Sequence, residues 1–169
     1  PVRMSPNNLT LVYLGTFILI MGWFGFNCGS LPPGPAVAGV ALNTMVAAVF
    51  GGIAATAGVW ALSETHRLDP QVMANGVLGG LVAVTAGADV LPTWGAALLG
   101  LAAGGVLVLG SRVNLRVFKL DDVVDAIAVH GYCGVLGTLA VALALPGPVL
   151  PQLGIQALGL AAVVGWTVA

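Results

Sequence analysis

Charged side chains are scarce in this sequence. It contains only 5 Lys or Arg and 6 Asp or Glu among 169 residues, or 7%, whereas a soluble domain carries about 25%. So few charges could not cover a water-facing surface, which excludes an ordinary soluble domain. The sequence also lacks the basic patch that binding to a nucleic-acid backbone requires, so we expect no nucleic-acid partner.

Cysteine is rare as well, because the chain contains only Cys28 and Cys133. Both lie in apolar segments, and we interpret them as small packing residues and not as a disulfide framework. A structural zinc site takes four ligands, and no Cys/His cluster in the sequence supplies them. We therefore expect no metal and no cofactor.

Long apolar runs fill the intervals between the charges. A membrane-spanning helix needs roughly 20 apolar residues, whereas a membrane β-barrel would show segments of about 10 residues with alternating polarity. The runs are long and do not alternate, so we predict an all-α, polytopic membrane bundle. Its segments lie near 9–29, 36–62, 70–88, 92–113, 121–145 and 151–169, the last incomplete. Because the chain begins with Pro1 and stops at Ala169 inside an apolar run, we expect a fragment of a longer protein.

The basic residues predict how the bundle lies in the membrane. If the six helices alternate in direction, all the basic residues fall on one face of the membrane. They are Arg3, Arg67, Arg112, Arg116 and Lys119. Loops on the cytoplasmic side carry the excess of Lys and Arg, so we place this face in the cytoplasm, with the first helix running outward. Small residues let membrane helices approach closely. We expect such contacts at Gly76, Gly79 and Gly80 in the third segment, and at Gly131, Gly134 and Gly137 in the fifth.

The stretch DAIAVHGYCG, residues 125–134, places a histidine inside the fifth apolar segment. His130 is eight residues beyond Asp122, where we expect the helix to begin, and therefore about 12 Å along its axis, near mid-membrane. Ionisable groups there usually face the bundle interior or a water-filled path, and histidine changes charge near neutral pH. A role in handling protons or a polar substrate follows as a hypothesis; the alternative is a structural histidine bonded to a carbonyl. Cys133, at i+3, is expected on the same face, but two ligands make no metal site.

Asp121, Asp122 and Asp125 spell DDxxD, which two different interpretations explain. Membrane prenyltransferases hold Mg²⁺–diphosphate with such carboxylates, but no second aspartate-rich cluster appears in this sequence. In the other interpretation, Asp121 and Asp122 cap the fifth helix at its positive end. Asp125 is then expected one turn inside the helix, where it orders the cytoplasmic mouth through hydrogen bonds.

The stretch GWFGFNCGS, residues 22–30, combines aromatic rings with a hydroxyl group. Trp23 and Phe26 are three residues apart and share a helix face, and Ser30 follows one turn later. Aromatic faces attract cations, and a serine hydroxyl accepts hydrogen bonds from N–H donors. The group suits a small cation at a pore mouth; the alternative is an aromatic belt at the membrane interface.

Three stretches together resemble the ammonium transporter family (Amt/Mep/Rh), and its Amt branch most of all. They are GWFGFNCGS, LNTMVAA at 42–48 and DDVVDAIAVHGYCGVLGTL at 121–139. The resemblance covers essentially the whole chain and implies the sixth to tenth helices and the start of the eleventh. The family fold is two inverted five-helix repeats that enclose a pore, so this chain would supply one repeat and part of a further helix.

The resemblance also implies roles for single residues. His130 matches the second of the family's twin pore histidines, and Phe26 one ring of the phenylalanine gate. Trp23 matches a tryptophan that lines the path, Ser30 the hydroxyl that recruits ammonium, and Asp125 an aspartate of mainly structural role. The LPPGP loop at 31–35 departs from the family pattern.

The function that the resemblance implies is transport and not catalysis. We expect ammonium or ammonia to cross the cell membrane, an inner membrane, through a hydrophobic pore, with deprotonation near His130. The expected assembly is a homotrimer with one pore per subunit. Methylammonium is a candidate second substrate, and a cytoplasmic regulatory protein a candidate partner. The alternative is an ammonium-sensing membrane domain coupled to a signalling module, and the sequence that follows Ala169 would discriminate between the two.

Overall fold

The computed structural model describes residues 7–63 and 66–168, and all regular structure in these ranges is helical. The α-helices are α1 (Leu9–Cys28), α2 (Ala36–Leu62), α3 (Pro70–Thr85), α4 (Thr93–Val113), α5 (Cys133–Val141) and α6 (Val149–Val168). The first π-helical turn, Asn114–Phe118, continues α4, and the second, Ile127–Tyr132, leads directly into α5. The architecture is therefore the predicted all-α bundle.

In the part of the chain that the structure describes, four helices are long and apolar enough to cross a membrane, by length and composition alone. They are α1, α2, α4 with its π-helical turn, and α6. Two shorter apolar helices, Pro70–Thr85 and Ile127–Val141, complete the set. Within the described residues, the short helices pack against several neighbours, whereas α6 has no buried residue and, among the helices, contacts only α5.

Capping side chains fix where two of the helices begin. The Asn8 side chain accepts hydrogen bonds from the N–H groups of Thr10, at 2.9 Å, and Leu11, at 3.2 Å. Asp69 caps α3 in the same way, with Pro70 at the first helical position, where proline's missing N–H costs nothing. Both caps satisfy backbone donors that no helical turn can reach.

Helix α1 lies beside α3 and runs in the same direction. Near the starts of both helices, the Tyr13 hydroxyl donates to the Pro70 carbonyl oxygen at 3.1 Å. Near their ends, Trp23 Nε1 donates to Thr85 Oγ1 at 2.9 Å. The end of the bundle that holds Trp23 and Ser30 is called the aromatic end below.

The segment of α5 lies beside α3 as well, again parallel to it. Gln71 Nε2 donates to the Val123 carbonyl oxygen at 2.9 Å near the start of α3. Gly137 of α5 lies against the backbone of Ala83 near the end of α3. Because α1 and the π-turn–α5 segment do not contact each other within the described residues, α3 separates them.

Helices α2, α3 and α4 meet at backbone distance. A Cβ atom on Gly80 would lie 2.8 Å from the Ala47 carbonyl carbon, and one on Gly100 would lie 2.9 Å from Ala47 Cα. Helices α3 and α4 therefore pack against α2 from two sides at Ala47, which is fully buried. Close backbone approach through small residues is how membrane helices pack without a hydrophobic driving force.

The glycines of the fifth segment behave differently from the expectation. Gly137 is a close-approach position, since a Cβ there would lie 2.7 Å from Ala83 Cα. Gly131 and Gly134 are not, because the nearest atoms would be the side chains of Ile127 and Val82, each at an ordinary 3.7 Å. The prediction for these two was wrong because glycine spacing gives a helix face but not its neighbour. In the third segment, Gly76 and Gly80 meet backbone, whereas Gly79 faces the Cys133 sulfur.

Two predicted segments end or begin elsewhere. The fourth helix continues past the predicted end at 113, because the π-helical turn extends it to Phe118. The fifth helix begins only after Asp125, whose φ of 54° lies in the left-handed region. A helix cannot run through such a residue, so Asp125 lies before the helix and not one turn inside it. Asp122 Oδ2 accepts from the Ile127 and Ala128 N–H groups, at 2.7 and 3.2 Å, which is the capping role expected of it.

The second π-helical turn changes which side chains share a face. Cys133 is fully buried, whereas His130, three residues before it, is exposed. The i+3 rule assumes an α-helix, and the wider i→i+5 turn rotates the two side chains apart. The expectation that they lie on one face was therefore wrong. Both cysteines are free thiols.

Candidate functional site

An aromatic pair stands at the end of α1. The rings of Trp23 and Phe26 lie 6.4 Å apart, centroid to centroid, at an interplanar angle of 64°, an edge-to-face contact. The hydrogen bond from Trp23 to Thr85 fixes the indole against α3. Phe26 is 65% exposed, so one face of its ring is open. The three-residue spacing predicted that Trp23 and Phe26 share a helix face, and the contact between their rings confirms it.

Ser30 lies one turn beyond Phe26, in a fixed orientation. Its hydroxyl donates to the Phe26 carbonyl oxygen at 3.0 Å. Because the only proton is used in this bond, the serine oxygen presents lone pairs to any incoming N–H donor. Phe26 and Ser30 line a cavity of about 130 Å³ together with Asn27, Thr85, Ala88 and Asp89. It is called the aromatic pocket below.

Polar side chains that the sequence reasoning did not single out hold this pocket in place. Asn27, buried in α1, donates through Nδ2 to Thr44 Oγ1 of α2 at 3.0 Å. Asn43, also buried, donates to the carbonyl oxygens of Ala88 at 3.0 Å and Leu91 at 2.8 Å. The sequence did carry a signal for Asn27 and Asn43. An amide side chain inside an apolar segment needs a hydrogen-bond partner, so it indicates a contact with another helix.

His130 lies deeper in the bundle, on the second π-helical turn. Its position is bracketed by two contacts with α3: Asp125 bonds Asn75, and Cys133 lies against Gly79. His130 is therefore level with the middle of α3. Trp23 is level with Thr85, about seven residues further along, or about 11 Å at the helical rise.

The imidazole of His130 has no partner in the part of the chain that the structure describes. The ring is exposed, and within residues 7–63 and 66–168 it forms no hydrogen bond or ion pair. The structural alternative, a histidine bonded to a carbonyl, therefore finds no support there. A polar ring at mid-depth of an apolar helix calls for a polar partner or a wet path.

Asp125 lies at the opposite end of the bundle from Ser30, buried to 1% exposure. Its carboxylate accepts a hydrogen bond from Ser111 Oγ at 2.6 Å and one from Asn75 Nδ2 at 2.9 Å. The side chain thus joins α3, α4 and the start of the π-turn–α5 segment. Its partners lie 14 and 50 residues away along the chain, and the sequence reasoning missed both.

The basic residues surround this end of the bundle. Arg112 donates to the Leu62 carbonyl oxygen at 2.8 Å. Arg112 and Arg116 line a cavity of about 430 Å³ with Asp69, Ser111 and Asp125. This is called the basic end below; Arg3, also counted among the basic residues, lies outside the described residues. Among the residues that the structure describes, no group of three His, Cys, Asp or Glu side chains could hold a metal ion.

The predicted site residues thus occupy three levels and do not form one cluster. Trp23, Phe26 and Ser30 share the aromatic end, His130 lies near mid-depth, and Asp125 lies at the basic end. Helix α3 contacts α1, which carries Trp23 and Phe26, and the π-helical turn that carries His130. Its Asn75 bonds Asp125. Within the described residues, an all-helical bundle with four apolar helices long enough to cross a membrane has the architecture of a polytopic α-helical membrane protein.

The chain belongs to the ammonium transporter family. Residues 1–169 match the Ammonium Transporter Family. Ammonium transporter 1 member 3 of Solanum lycopersicum is 41% identical over 150 residues, which cover 82% of this chain and 32% of that protein. Ammonium transporter Amt1 of Haloferax mediterranei is 34% identical over 176 residues, covering 96% of this chain and 34% of that protein. The chain thus spans about a third of the length of these curated relatives.

Solved structures of the family share the fold. One described as a sensor Amt protein superposes with a TM-score of 0.88 at 38% identity, over 95% of this chain and 41% of that one. Mep2 of Saccharomyces cerevisiae superposes with a TM-score of 0.88 at 25% identity, over 97% of this chain and 41% of that one.

Proposed function

We propose that the protein to which this chain belongs carries ammonium across a membrane and conducts ammonia through a hydrophobic pore. The chain supplies the second half of the transporter, from its sixth helix to the start of its eleventh. In this proposal ammonium is recruited at Ser30, Phe26 and Trp23, and it is deprotonated near His130.

The observation that carries the proposal is the imidazole of His130 at mid-depth, which has no partner among the residues that the structure describes. Ammonium would lose its hydration in a dry pore at a large cost, whereas neutral ammonia would not. Separating the proton from the amine therefore passes ammonia and rejects alkali cations. This separation needs a proton acceptor inside the membrane, and His130 presents one about 11 Å below Trp23. Its second ring nitrogen is free to bond a matching histidine from the first half.

The aromatic pocket supports the recruitment step. The open face of Phe26 attracts a cation, and the Ser30 oxygen accepts one N–H of ammonium because its own proton is donated to Phe26. Trp23, held against α3, adds a second ring beside Phe26. Asp125 acts at a distance from the substrate, by holding three helices together at the basic end.

The placement and assembly belong to the same proposal. The basic end faces the cytoplasm of a cell membrane, because loops rich in Lys and Arg stay on that side. The protein forms a homotrimer with a pore in each subunit. A cytoplasmic regulatory protein would meet the basic residues of the segment at 112–120, which is the end of α4, its π-helical turn and the two residues after it.

Uptake of methylammonium by cells that lack their own ammonium transporters tests this function. We expect the natural full-length protein to restore uptake and His130→Ala to abolish it or to admit potassium. The matched control is His66→Ala, since the sequence has only 2 histidines. His66 lies in a loop, in a tilted ring contact with Trp60 at a centroid distance of 5.1 Å. We expect its replacement to leave uptake intact.

Two results would contradict the proposal. No uptake by the wild-type protein, at normal amounts in the membrane, would refute transport itself. Wild-type uptake and selectivity in His130→Ala would refute the role of the histidine and leave the transport function standing.

A sensing role is the second candidate, because one superposed structure is described as a sensor Amt protein. A sensor would use the same residues to bind ammonium and pass the signal to an attached domain. A kinase or cyclase domain after residue 169 in the natural protein, together with absent uptake, would favour sensing. A short tail with measurable uptake would favour transport.

A further inference from the structure

We infer that Asp89 is an electrostatic residue of the ammonium-recruiting pocket, where its carboxylate raises the local concentration of the cation. The inference rests on the proposed function and adds to it a residue that sets affinity. Asp89 lies in the connection between α3 and α4 and lines the aromatic pocket with Phe26 and Ser30. An aromatic ring, a hydroxyl oxygen and a carboxylate thus surround one cavity of about 130 Å³.

The charge of Asp89 stands alone at the aromatic end. The connections at this end are 29–35, 86–92 and 142–148, all within the described residues, and Asp89 is their one charged residue. The carboxylate is exposed, and nothing in the described part of the chain forms a hydrogen bond or ion pair with it. Within the described residues, no neighbouring cation therefore cancels the field of Asp89, and a cation that approaches these connections meets one negative charge.

The backbone around Asp89 is held in a fixed position. Asn43 Nδ2 of α2 bonds the carbonyl oxygens of Ala88 and Leu91, one on each side of Asp89. Asn43 is 5% exposed and cannot exchange these bonds for water. A free surface carboxylate on a mobile loop would spread its charge over many positions, whereas this one stays beside the pocket.

The expected effect falls on affinity. Unit charges about 5 Å apart in water attract each other enough to change binding roughly fourfold. We therefore expect Asp89→Asn to raise the KM for ammonium roughly fourfold, and Asp89→Lys to raise it roughly tenfold or more, since repulsion replaces attraction. A charge that acts only at the mouth contributes equally to the bound and reacting states, so the change appears in KM and not in the maximal rate.

The test measures ammonium uptake against concentration and ionic strength in the natural full-length protein. Asp89→Glu restores the charge and is expected to restore KM. Val90→Asn, which adds the same amide at the next exposed position, is expected to keep the wild-type KM. Because salt screens exposed charges, the difference between wild type and Asp89→Asn should narrow as ionic strength rises. A residue of merely structural role would not show this dependence.

Each outcome decides the inference. The inference is supported if Asp89→Asn raises the KM, if the difference from the wild-type KM narrows as ionic strength rises, and if Asp89→Glu restores the wild-type KM. An unchanged KM in Asp89→Asn, or a lowered maximal rate alone, overturns it while wild-type uptake leaves the proposed function intact. Absent uptake in the wild-type protein refutes the proposed function, and the inference falls with it.

Discussion

Removing the Asp125 carboxylate should destabilise the basic end of the bundle by a predictable amount. The carboxylate accepts bonds from Ser111 and Asn75, at 2.6 and 2.9 Å, in a buried position. A hydrogen bond to a charged group contributes about 1.5–3 kcal/mol, so losing both in Asp125→Ala costs about 3–6 kcal/mol. The left-handed backbone at 125 adds about 1–2 kcal/mol, because Ala tolerates this conformation less well than Asp.

The stability of Asp125→Asn should lie between that of the wild type and that of Asp125→Ala. Its amide oxygen accepts the bond from Asn75, its amide nitrogen can only donate to the Ser111 hydroxyl in a weaker, neutral bond, and asparagine tolerates the left-handed backbone. The expected loss is therefore about 1.5–3 kcal/mol. Ser111→Ala should cost a similar amount. The double substitution Asp125→Asn with Ser111→Ala should cost less than the sum of the two single ones, since both act on the bond between residues 125 and 111.

Thermal melting of the purified full-length protein in detergent measures this series. The melting temperature should fall in the order wild type, Asp125→Asn, Asp125→Ala. Asp89→Asn is the control, because it removes an exposed carboxylate without a partner in the described residues. If Asp125→Ala melted with the wild type, the buried network would contribute no stability and the reasoning would be refuted.

Three further substitutions test the contacts around the site. Trp23→Phe keeps a ring but removes the bond to Thr85, so we expect a loss of about 0.5–1.5 kcal/mol, seen as a lower melting temperature and a raised KM. Gly137→Ala would place a carbon 2.7 Å from backbone and should abolish folded protein in membranes, whereas Gly134→Ala, with 3.7 Å available, should give wild-type amounts by immunoblotting. Asn43→Ala frees the loop that carries the pocket, so uptake should show a raised KM; wild-type kinetics would contradict the anchoring role.

The sequence indicated the fold class because lipid leaves few alternatives. Apolar runs that exclude charge report the free energy of transfer into the membrane, and backbone groups there must be satisfied within a helix. Residues three apart in a motif such as GWFGFNCGS must therefore share one helix face. The contact between Trp23 and Phe26 follows from that shared face.

What hydropathy could not predict are features set by contacts across the bundle. The left-handed residue Asp125 is stabilised by Asn75, 50 residues away, so local pattern gives no sign that the helix begins after it. The π-helical turn at Ile127–Tyr132 is not visible in hydropathy either, and it rotates His130 away from Cys133. The unequal closeness of Gly131 and Gly137 depends on what α3 presents to each, which spacing within one helix does not encode.

Flux through the purified full-length protein in liposomes is the direct test of the claim that ammonium is deprotonated near His130 and that potassium is therefore rejected. Ammonium and potassium pulses are applied to wild-type and His130→Ala protein, and the charge movement and the internal pH are recorded. The account predicts a response to ammonium and none to potassium in the wild type, and loss of that response or of that discrimination in His130→Ala. Equal, potassium-rejecting ammonium flux in both proteins would contradict it.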